Sequence, residues 1–465
     1  MKLLRSSPHS RQFCLPLACL LALSACAPGT VGTDAATTET ATIEVPPPVE
    51  QTNEGLTIFY TDYIGLEAKL LDAAVTQFNQ LHPDTPVTAE KIFVDGSSEN
   101  QDNAYTKMLT EVMAGEGPDL FFLEQNLMDI EKMVRRGVFA DMEPYFEADG
   151  FDWSGYNQAV MDAGVWDGQR LVIPLEYQLP ILYTSQGALD ETGFSAENCA
   201  TFDGFLTEVE TMLADPDQTR QVFLSRLAMN YAPFYGGLDY ADYDRQTVDL
   251  SLPELARVAD IYKNLGDLPM ITFSYEMIEG AGEIMQGNAL LANPMFCQEG
   301  FLDTAGCINK FDDAVMLPIR DTQGGIRAQI NYAVMVRNSS PNLQSAYEFI
   351  KFLLSEEFQL DTMDWRWQDF SVLNATNERY YIANTVERYN SNISPDNPYG
   401  FTGDIVLPQS DYDELLSYMN EVSGAFYYSK ELNFIRAIPD YLSGEAPYDE
   451  AVEAAERQMN LYLSE

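Results

Sequence analysis

Histidine and positive charge are the scarcest features of this 465-residue sequence. It contains two histidines, His9 and His82, and 26 basic residues against 72 acidic ones, which gives a formal net charge of -46. So few histidines exclude Ser-His-Asp and Cys-His catalytic arrangements and zinc sites built from several histidines. Because the negative charge repels phosphate backbones, we expect no nucleic-acid partner.

Motifs for phosphate cofactors and metals are also missing. The sequence has no Gly-x-x-x-x-Gly-Lys-Ser/Thr loop, and Gly115 and Gly117 lack the third glycine of a dinucleotide loop. The acidic stretch 239–244 lacks the glycine and terminal glutamate of an EF-hand loop. We therefore expect no cofactor, no metal and no enzymatic activity. A glycoside hydrolase stays an alternative, because 72 acidic residues offer carboxylate pairs throughout the chain.

The first 26 residues have the pattern of an export signal. Lys2, Arg5 and Arg11 precede an apolar run, residues 13–23, that is too short to span a bilayer. The following Leu23-Ser24-Ala25-Cys26 resembles the lipobox of bacterial lipoproteins. The resemblance implies cleavage after residue 25, acylation (palmitate) of the Cys26 sulfur, and a protein held by lipid on the extracytoplasmic face of the cell membrane.

Residues 26–54 predict a flexible tether behind that anchor. They are rich in Thr, Ala, Glu and Pro, include Pro46-Pro47-Pro48, and contain almost no large apolar side chain. Beyond the tether, the cysteines are Cys199, Cys297 and Cys307. Either Cys297 and Cys307 form a disulfide that closes a short loop and Cys199 is a buried thiol, or all three are small core residues.

The body of the chain alternates short apolar runs with helical periodicity, which predicts an α/β protein with largely parallel sheets. The first run of elements is a strand at 56–60, a helix at 67–81, a strand at 87–94, a helix at 105–113 and a strand at 120–123. Further strands are expected at 170–177, 181–183, 289–292, 314–318 and 333–336. A helix is expected at 344–354. The stretch from residue 356 onward is expected to be mostly helical and to end with a helix at 448–463.

The order of these elements resembles the extracellular solute-binding proteins of the maltodextrin-binding kind. Four stretches carry the likeness: residues 113–120 with Gly115-Glu116-Gly117-Pro118-Asp119, residues 137–145, residues 167–183 and residues 344–353. The resemblance implies a two-lobed fold of the periplasmic-binding-protein type, with hinge crossings near 176–179, 313–318 and 354–358 and a ligand cleft between the lobes. It also implies delivery of the solute to the permease subunits of an ABC importer.

The expected division of the chain follows from that likeness. The signal peptide is 1–25 and the lipidated tether 26–54; the N-terminal lobe is 55–177 plus 317–357, and the C-terminal lobe is 178–316 plus 358–465. We expect a monomer. Where many sugar binders of this family have Gly-Pro-Trp, this chain has Asn293-Pro294-Met295, so Phe296 is the candidate for the missing stacking aromatic.

Candidate ligand contacts follow from strand ends and from the needs of a sugar, which presents flat ring faces and a rim of hydroxyls. In open sheets ligands collect at the carboxyl ends of strands and at chain crossings. The candidates are Tyr60, Asp62, Tyr63, Glu124, Glu176, Tyr177, Phe296, Asn331, Tyr332, Trp365, Trp367 and Asp369. The same acids and aromatics suit a cationic solute such as a polyamine, which is the alternative ligand.

Overall fold

A computed structural model describes residues 50–60, 67–91, 106–108, 110–112, 114–124, 129–269, 277–292, 304–361, 369–384 and 408–465. These residues all belong to one compact unit that covers 48–465. Cys26, Asp62, Tyr63, Phe296, Cys297, Trp365 and Trp367 lie outside the described residues.

The strands, in chain order, are β1 (Leu56–Tyr60), β2 (Val87–Lys91), β3 (Leu120–Glu124), β4 (Val165–Trp166), β5 (Gln169–Arg170), β6 (Ile173–Gln178), β7 (Ile181–Ser185), β8 (Gln221–Phe223), β9 (Ala241–Asp242), β10 (Thr247–Val248), β11 (Ala289–Leu291), β12 (Ala314–Pro318), β13 (Ile326–Val336), β14 (Phe370–Ser371) and β15 (Val422–Tyr427). The helices are α1 (Glu67–Leu81), α2 (Ile130–Arg135), α3 (Glu143–Asp149), α4 (Gln158–Asp162), α5 (Gln186–Thr192), α6 (Phe202–Ala214), α7 (Leu227–Tyr235), α8 (Pro253–Asn264), α9 (Met277–Met285), α10 (Leu343–Leu354), α11 (Glu356–Asp361), α12 (Asn374–Asn384), α13 (Gln409–Asn420), α14 (Phe434–Ala437), α15 (Pro439–Ser443) and α16 (Tyr448–Ser464).

The first lobe is built on a mixed sheet of seven strands. Its order is β14-β6-β13-β3-β1-β2, and β15 also pairs with β13. The pairs β1–β2, β1–β3 and β13–β15 are parallel, whereas β13–β3, β13–β6 and β14–β6 are antiparallel. The sheet is therefore less parallel than expected, because β13 is inserted antiparallel into its centre.

Buried apolar side chains form two separate clusters, which we call the first core and the second core. The first core surrounds the large sheet and includes Leu56, Phe78, Phe121, Val334 and Leu353. The second core includes Phe202, Val209, Leu255, Leu291 and Phe434. Two cores within one compact unit confirm the two-lobed α/β architecture expected from the sequence.

The second lobe packs helices against shorter sheets. β8 and β11 pair in parallel, and β7 and β12 pair antiparallel along their whole length. β7 lies between the cores, because its alternating side chains diverge: Ile181 and Tyr183 join the first core and Leu182 joins the second.

Within the described ranges, the buried side chains change from one core to the other at three places along the chain. The first two passages lie between β6 and β7 and between β12 and β13. The third was expected near Leu354–Phe358, but Phe358 and Phe370 still belong to the first core. The passage instead follows β15, where Val422 belongs to the first core and Tyr428 to the second. The described residues Leu373, Tyr412, Leu415 and Met419 also belong to the first core, so this part of the chain packs with the first lobe.

Polar contacts tie the second and third passages together beside the hinge. The Asp321 carboxylate accepts from the backbone N–H groups of Gln323 and Gly325 and from the Ser423 hydroxyl. Arg320 forms an ion pair with Glu421 at 2.6 Å. A Cβ added to Gly325 would lie 2.1 Å from Ser423 Oγ, so only glycine fits this close approach.

Tyr156 offers a test of packing in the first lobe. This residue is buried, and its hydroxyl donates to the Leu354 carbonyl at the end of α10, 2.7 Å away. Tyr156→Phe should lower the free energy of unfolding by about 1 to 2 kcal/mol, because a buried carbonyl loses its donor. Tyr448→Phe is the matched control, since among the described residues the buried Tyr448 hydroxyl has no hydrogen-bond partner. Equal losses in urea unfolding of both variants would contradict this account.

Two of the cysteines can be placed. Cys199 and Cys307 are both buried, and burial raises the pKa of the Cys199 thiol to about 12. Because Cys297 lies outside the described residues, its pairing with Cys307 stays a prediction. Among the described residues, no helix combines the length and hydropathy that crossing a bilayer requires.

Candidate functional site

The carboxyl ends of three strands meet at one edge of the large sheet. β1, β3 and β6 point the same way, since β1 is parallel to β3 and both β3 and β6 are antiparallel to β13. Tyr332 of β13 lies opposite both Glu124 and Glu176 in the two registers. Tyr60 ends β1 and is half-buried. This edge is where the sheet gives way to the second lobe.

A buried carboxylate lies beside β6 and β13 at that edge. Asp369 is 2% exposed and lies directly before β14. Its Oδ1 accepts from Gln178 Nε2 at 2.6 Å, and its Oδ2 accepts from Asn331 Nδ2. An amide group offers two N–H donors and one acceptor oxygen. A carboxylate that accepts from one N–H therefore fixes the direction of the second N–H and of the oxygen. We call Asp369, Gln178 and Asn331 the amide–carboxylate cluster.

Alternation along β6 decides which of its side chains can reach the cluster. Gln178 contacts Asp369, so Glu176, two residues earlier, points to the same face of the sheet; it is 3% exposed. Tyr177 points to the opposite face, where its hydroxyl accepts from Asn157 Nδ2 at 3.4 Å and its ring lies beside Phe370. Tyr177 is fully buried. The structure therefore separates Tyr177 from the cluster, although the sequence grouped it with Glu176.

A second-lobe residue reaches the same region. Gln329 lies opposite Gln178 in the register of β13 and β6, and its Oε1 accepts from the Tyr235 hydroxyl at 3.3 Å. Tyr235 ends α7 and belongs to the second core. The polar face of the sheet is thus adjacent to the second lobe. A solute held there would touch both lobes.

The structure brings together Glu176, Asn331, Tyr332 and Asp369 among the predicted contacts, with Tyr60 and the backbone of Glu124 at the same sheet edge. Tyr332 is half-buried and stacks on Phe122, with ring centroids 6.0 Å apart. Five predicted contacts, Asp62, Tyr63, Phe296, Trp365 and Trp367, lie outside the described residues. Within the described residues, no cluster of three or more His, Cys, Asp or Glu side chains is arranged to hold a metal ion.

Gln329 and Tyr235 were not among the predicted contacts, and Gln178 was considered only as part of the first crossing. A signal for Gln329 was present in the sequence. Gln329 and Asn331 are two residues apart in an otherwise largely apolar run, 326–336, which is the spacing of side chains on one face of a strand. The sequence-based strand began only at residue 333, so this alternation was overlooked.

Comparison with known proteins supports this architecture. The family profile of the bacterial extracellular solute-binding proteins matches residues 73–372. A search of curated proteins found no match. Among solved structures, the cyclic α-maltosyl-1,6-maltose binding protein of Arthrobacter globiformis is 17% identical, with a TM-score of 0.54 over 90% of this chain and 99% of that one.

Two further solved structures show the same fold. A family 1 extracellular solute-binding protein from Alicyclobacillus acidocaldarius is 14% identical, with a TM-score of 0.55 over 90% of this chain and 100% of that one. An ABC substrate-binding protein from Listeria monocytogenes in complex with cycloalternan is 15% identical, with a TM-score of 0.52 over 89% of this chain and 100% of that one. Because the family profile spans more than half of the sequence, the chain belongs to the bacterial extracellular solute-binding proteins.

Proposed function

We propose that this protein captures a carbohydrate between its two lobes and delivers it to the permease subunits of an ABC importer. The observation that carries the proposal is the amide–carboxylate cluster at the junction of the two cores. Each sugar hydroxyl can donate and accept a hydrogen bond. Oriented amides beside a carboxylate offer it both acceptors and donors. The similar proteins from Arthrobacter globiformis and Listeria monocytogenes, described as binding cyclic oligosaccharides, support the same ligand class.

The ligand contacts combine this cluster with aromatic platforms. Glu176, Asn331 and Asp369 supply the polar floor, while Tyr60 and Tyr332 lie on strands at the same end of the sheet. Glu124, Asp62 and Tyr63 follow strands at the same edge, and Phe296, Trp365 and Trp367 complete the predicted set of stacking rings. Tyr177 supports the floor from the core side. No step of this function requires catalysis, because binding energy alone drives closure.

The proposal also includes a lipid anchor. The signal peptide is residues 1–25, Cys26 carries the lipid, and the tether ends where residues 51–54 bind the first lobe. There Thr52 N donates to the Pro341 carbonyl at 2.8 Å, and Glu54 N donates to Asn342 Oδ1 at 3.2 Å. The tether therefore leaves the body beside the start of α10. In this arrangement the protein works as a monomer on the extracytoplasmic face.

Thermal unfolding with a panel of solutes tests the ligand class. A bound solute stabilises the folded state by about 2.7 kcal/mol at a concentration of 100 Kd, so the melting temperature rises with the logarithm of the solute concentration above Kd. We expect this rise with at least one neutral oligosaccharide, such as a cyclic maltosyl-maltose, cycloalternan or mannobiose. Calorimetric titration then gives the affinity. Tyr448→Phe, distant in sequence from the cluster, should respond as the unmodified protein does.

Two other outcomes would contradict the proposal. Stabilisation by putrescine or spermidine alone would identify a cationic solute, for which the buried Glu176 and Asp369 carboxylates are suitable partners. Release of shorter sugars from an oligosaccharide during prolonged incubation would identify a hydrolase. Chromatography of the incubated sugar distinguishes the second outcome from simple binding.

A further inference from the structure

A buried carboxylate away from the candidate site joins the two lobes. Asp129 is 5% exposed and caps the amino end of α2, accepting from Lys132 N at 2.9 Å. α2 belongs to the first lobe, because Ile130, Met133 and Val134 are part of the first core. The carboxylate itself is directed away from that core, toward the second lobe.

Three hydroxyl groups of the second lobe donate to this one carboxylate. Tyr243 Oη lies 3.2 Å from both carboxylate oxygens, Ser429 Oγ lies 2.9 Å from Oδ2, and Tyr462 Oη lies 3.1 Å from Oδ2. Both tyrosines pack against the second core, and Ser429 follows the third passage between lobes. Hydrogen bonds to a charged acceptor are about twice as strong as neutral ones. We call these four residues the Asp129 cluster.

The hydroxyl of Tyr243 keeps its proton. Burial raises the pKa of Tyr243 well above its ordinary value, and the neighbouring Asp129 charge raises it further. The Tyr243 phenol therefore stays a hydrogen-bond donor to Asp129 across the neutral pH range. Lys132 adds a second bond across the same boundary: its ammonium donates to the Tyr462 carbonyl at 2.5 Å and lies 3.9 Å from the centre of the Tyr462 ring.

The Asp129 cluster and the amide–carboxylate cluster lie on opposite sides of the central hinge strand, β13. Residues 329–330 of β13 pair with β6 and with β15 at once, so these two strands occupy its two edges. The amide–carboxylate cluster is on the β6 side, whereas Ser429 continues from β15. The contacts of Asp129 can therefore change without altering the floor of the site.

A cavity lies beside the Asp129 cluster. Its volume is about 400 Å³, and its walls come from both lobes. Trp166 stacks on Tyr427, with centroids 5.9 Å apart, on the first-core side; Phe234 stacks on Phe426 at 5.5 Å on the second-core side. Tyr243 and Ser429 line the same space.

We propose that the Asp129 cluster is an interlobe latch that sets the population of open and closed lobes, and thereby the solute affinity, without touching the solute. The proposal rests on the solute-capture function described above. A two-state equilibrium shifts by as much as the difference in contact energy between its states. Removing a contact that exists only in the open or only in the closed arrangement of the lobes must therefore change the apparent solute affinity of the site on the other side of the hinge.

Small-angle scattering of the ligand-free full chain tests the latch. Asp129→Asn, Tyr243→Phe and Tyr462→Phe should each alter the distance distribution between the lobes, and Asp129→Asn should change the solute Kd by about fivefold or more. The two Tyr→Phe variants keep the rings and so keep the packing. Tyr448→Phe, which also loses a buried tyrosine hydroxyl, should leave both quantities unchanged.

The possible failures are distinguishable. If the unmodified protein binds no solute in calorimetric titration, the proposed function fails. If it binds, but all three folded variants show its distance distribution and its Kd, the latch is overturned while the function stands. Should Asp129→Asn fail to fold, the two Tyr→Phe variants decide, and their unchanged scattering and affinity would also overturn the latch.

Discussion

Replacing Asp369 by alanine will weaken solute binding by about 100-fold, the largest effect we expect from any single side chain of the described site. The carboxylate accepts from the amide nitrogens of Gln178 and Asn331 at the boundary of the two cores. Without it, two donors lose a charged acceptor at a position where the carboxylate is buried, and both amides lose their orientation. Calorimetric titration with the solute found in the thermal screen measures the change.

Asp369→Asn is the matched variant for this prediction. It keeps the size and shape of the side chain but presents an N–H₂ group to one of two N–H donors, so we expect an intermediate loss of about tenfold. Thermal unfolding of the ligand-free variants separates lost binding from lost folding. Wild-type affinity in a folded Asp369→Ala protein would show that the amide–carboxylate cluster is not part of the binding site.

Replacing Cys26 by alanine will move the protein from the membrane fraction to the soluble fraction. The proposed attachment is a single sulfur, and each buried CH₂ of an acyl chain contributes about 0.8 kcal/mol to membrane binding. Without the lipid, the described residues offer no membrane-spanning helix in compensation. Fractionation of cells that express the variant, followed by blotting, measures the redistribution.

Cys199→Ala is the control for the anchor, since this thiol is buried in the second core. It should remain in the membrane fraction, and its mass should retain the lipid. A Cys26→Ala protein that stays with washed membranes would require another attachment, and the lipobox interpretation would be wrong.

The parts of the fold that were predictable have patterns contained within one element. β1, α1 and β3 appear where the sequence placed them, because a short apolar run or a 3.6-residue period is visible without knowledge of the partners. The order of elements then indicated the two lobes.

The hinge was harder to predict because its strands serve two lobes. β15, Val-Ser-Gly-Ala-Phe-Tyr, contains serine and glycine, which are weak strand formers, and its apolar residues diverge between the first and second cores. It therefore lacks the simple alternation of a strand with one buried face, and the third passage was assigned to the helical segment near residue 356.

The site shows the same limit. The sequence groups Tyr177 with Glu176 because the two residues are adjacent. Adjacent strand residues, however, point to opposite faces of the sheet. Only the contact with Asn157 shows which of the two faces is the core. Asp369 was chosen for its neighbouring tryptophans. Its actual partners, Gln178 and Asn331, are 191 and 38 residues away, and no local pattern reveals contacts of that range.

Small-angle scattering of the unmodified protein with and without a saturating oligosaccharide tests the central claim most directly. Two lobes that close around a solute must become more compact, so we predict a smaller radius of gyration and a shorter maximum dimension in the bound state. Saturated binding with an unchanged scattering curve would contradict closure between the lobes.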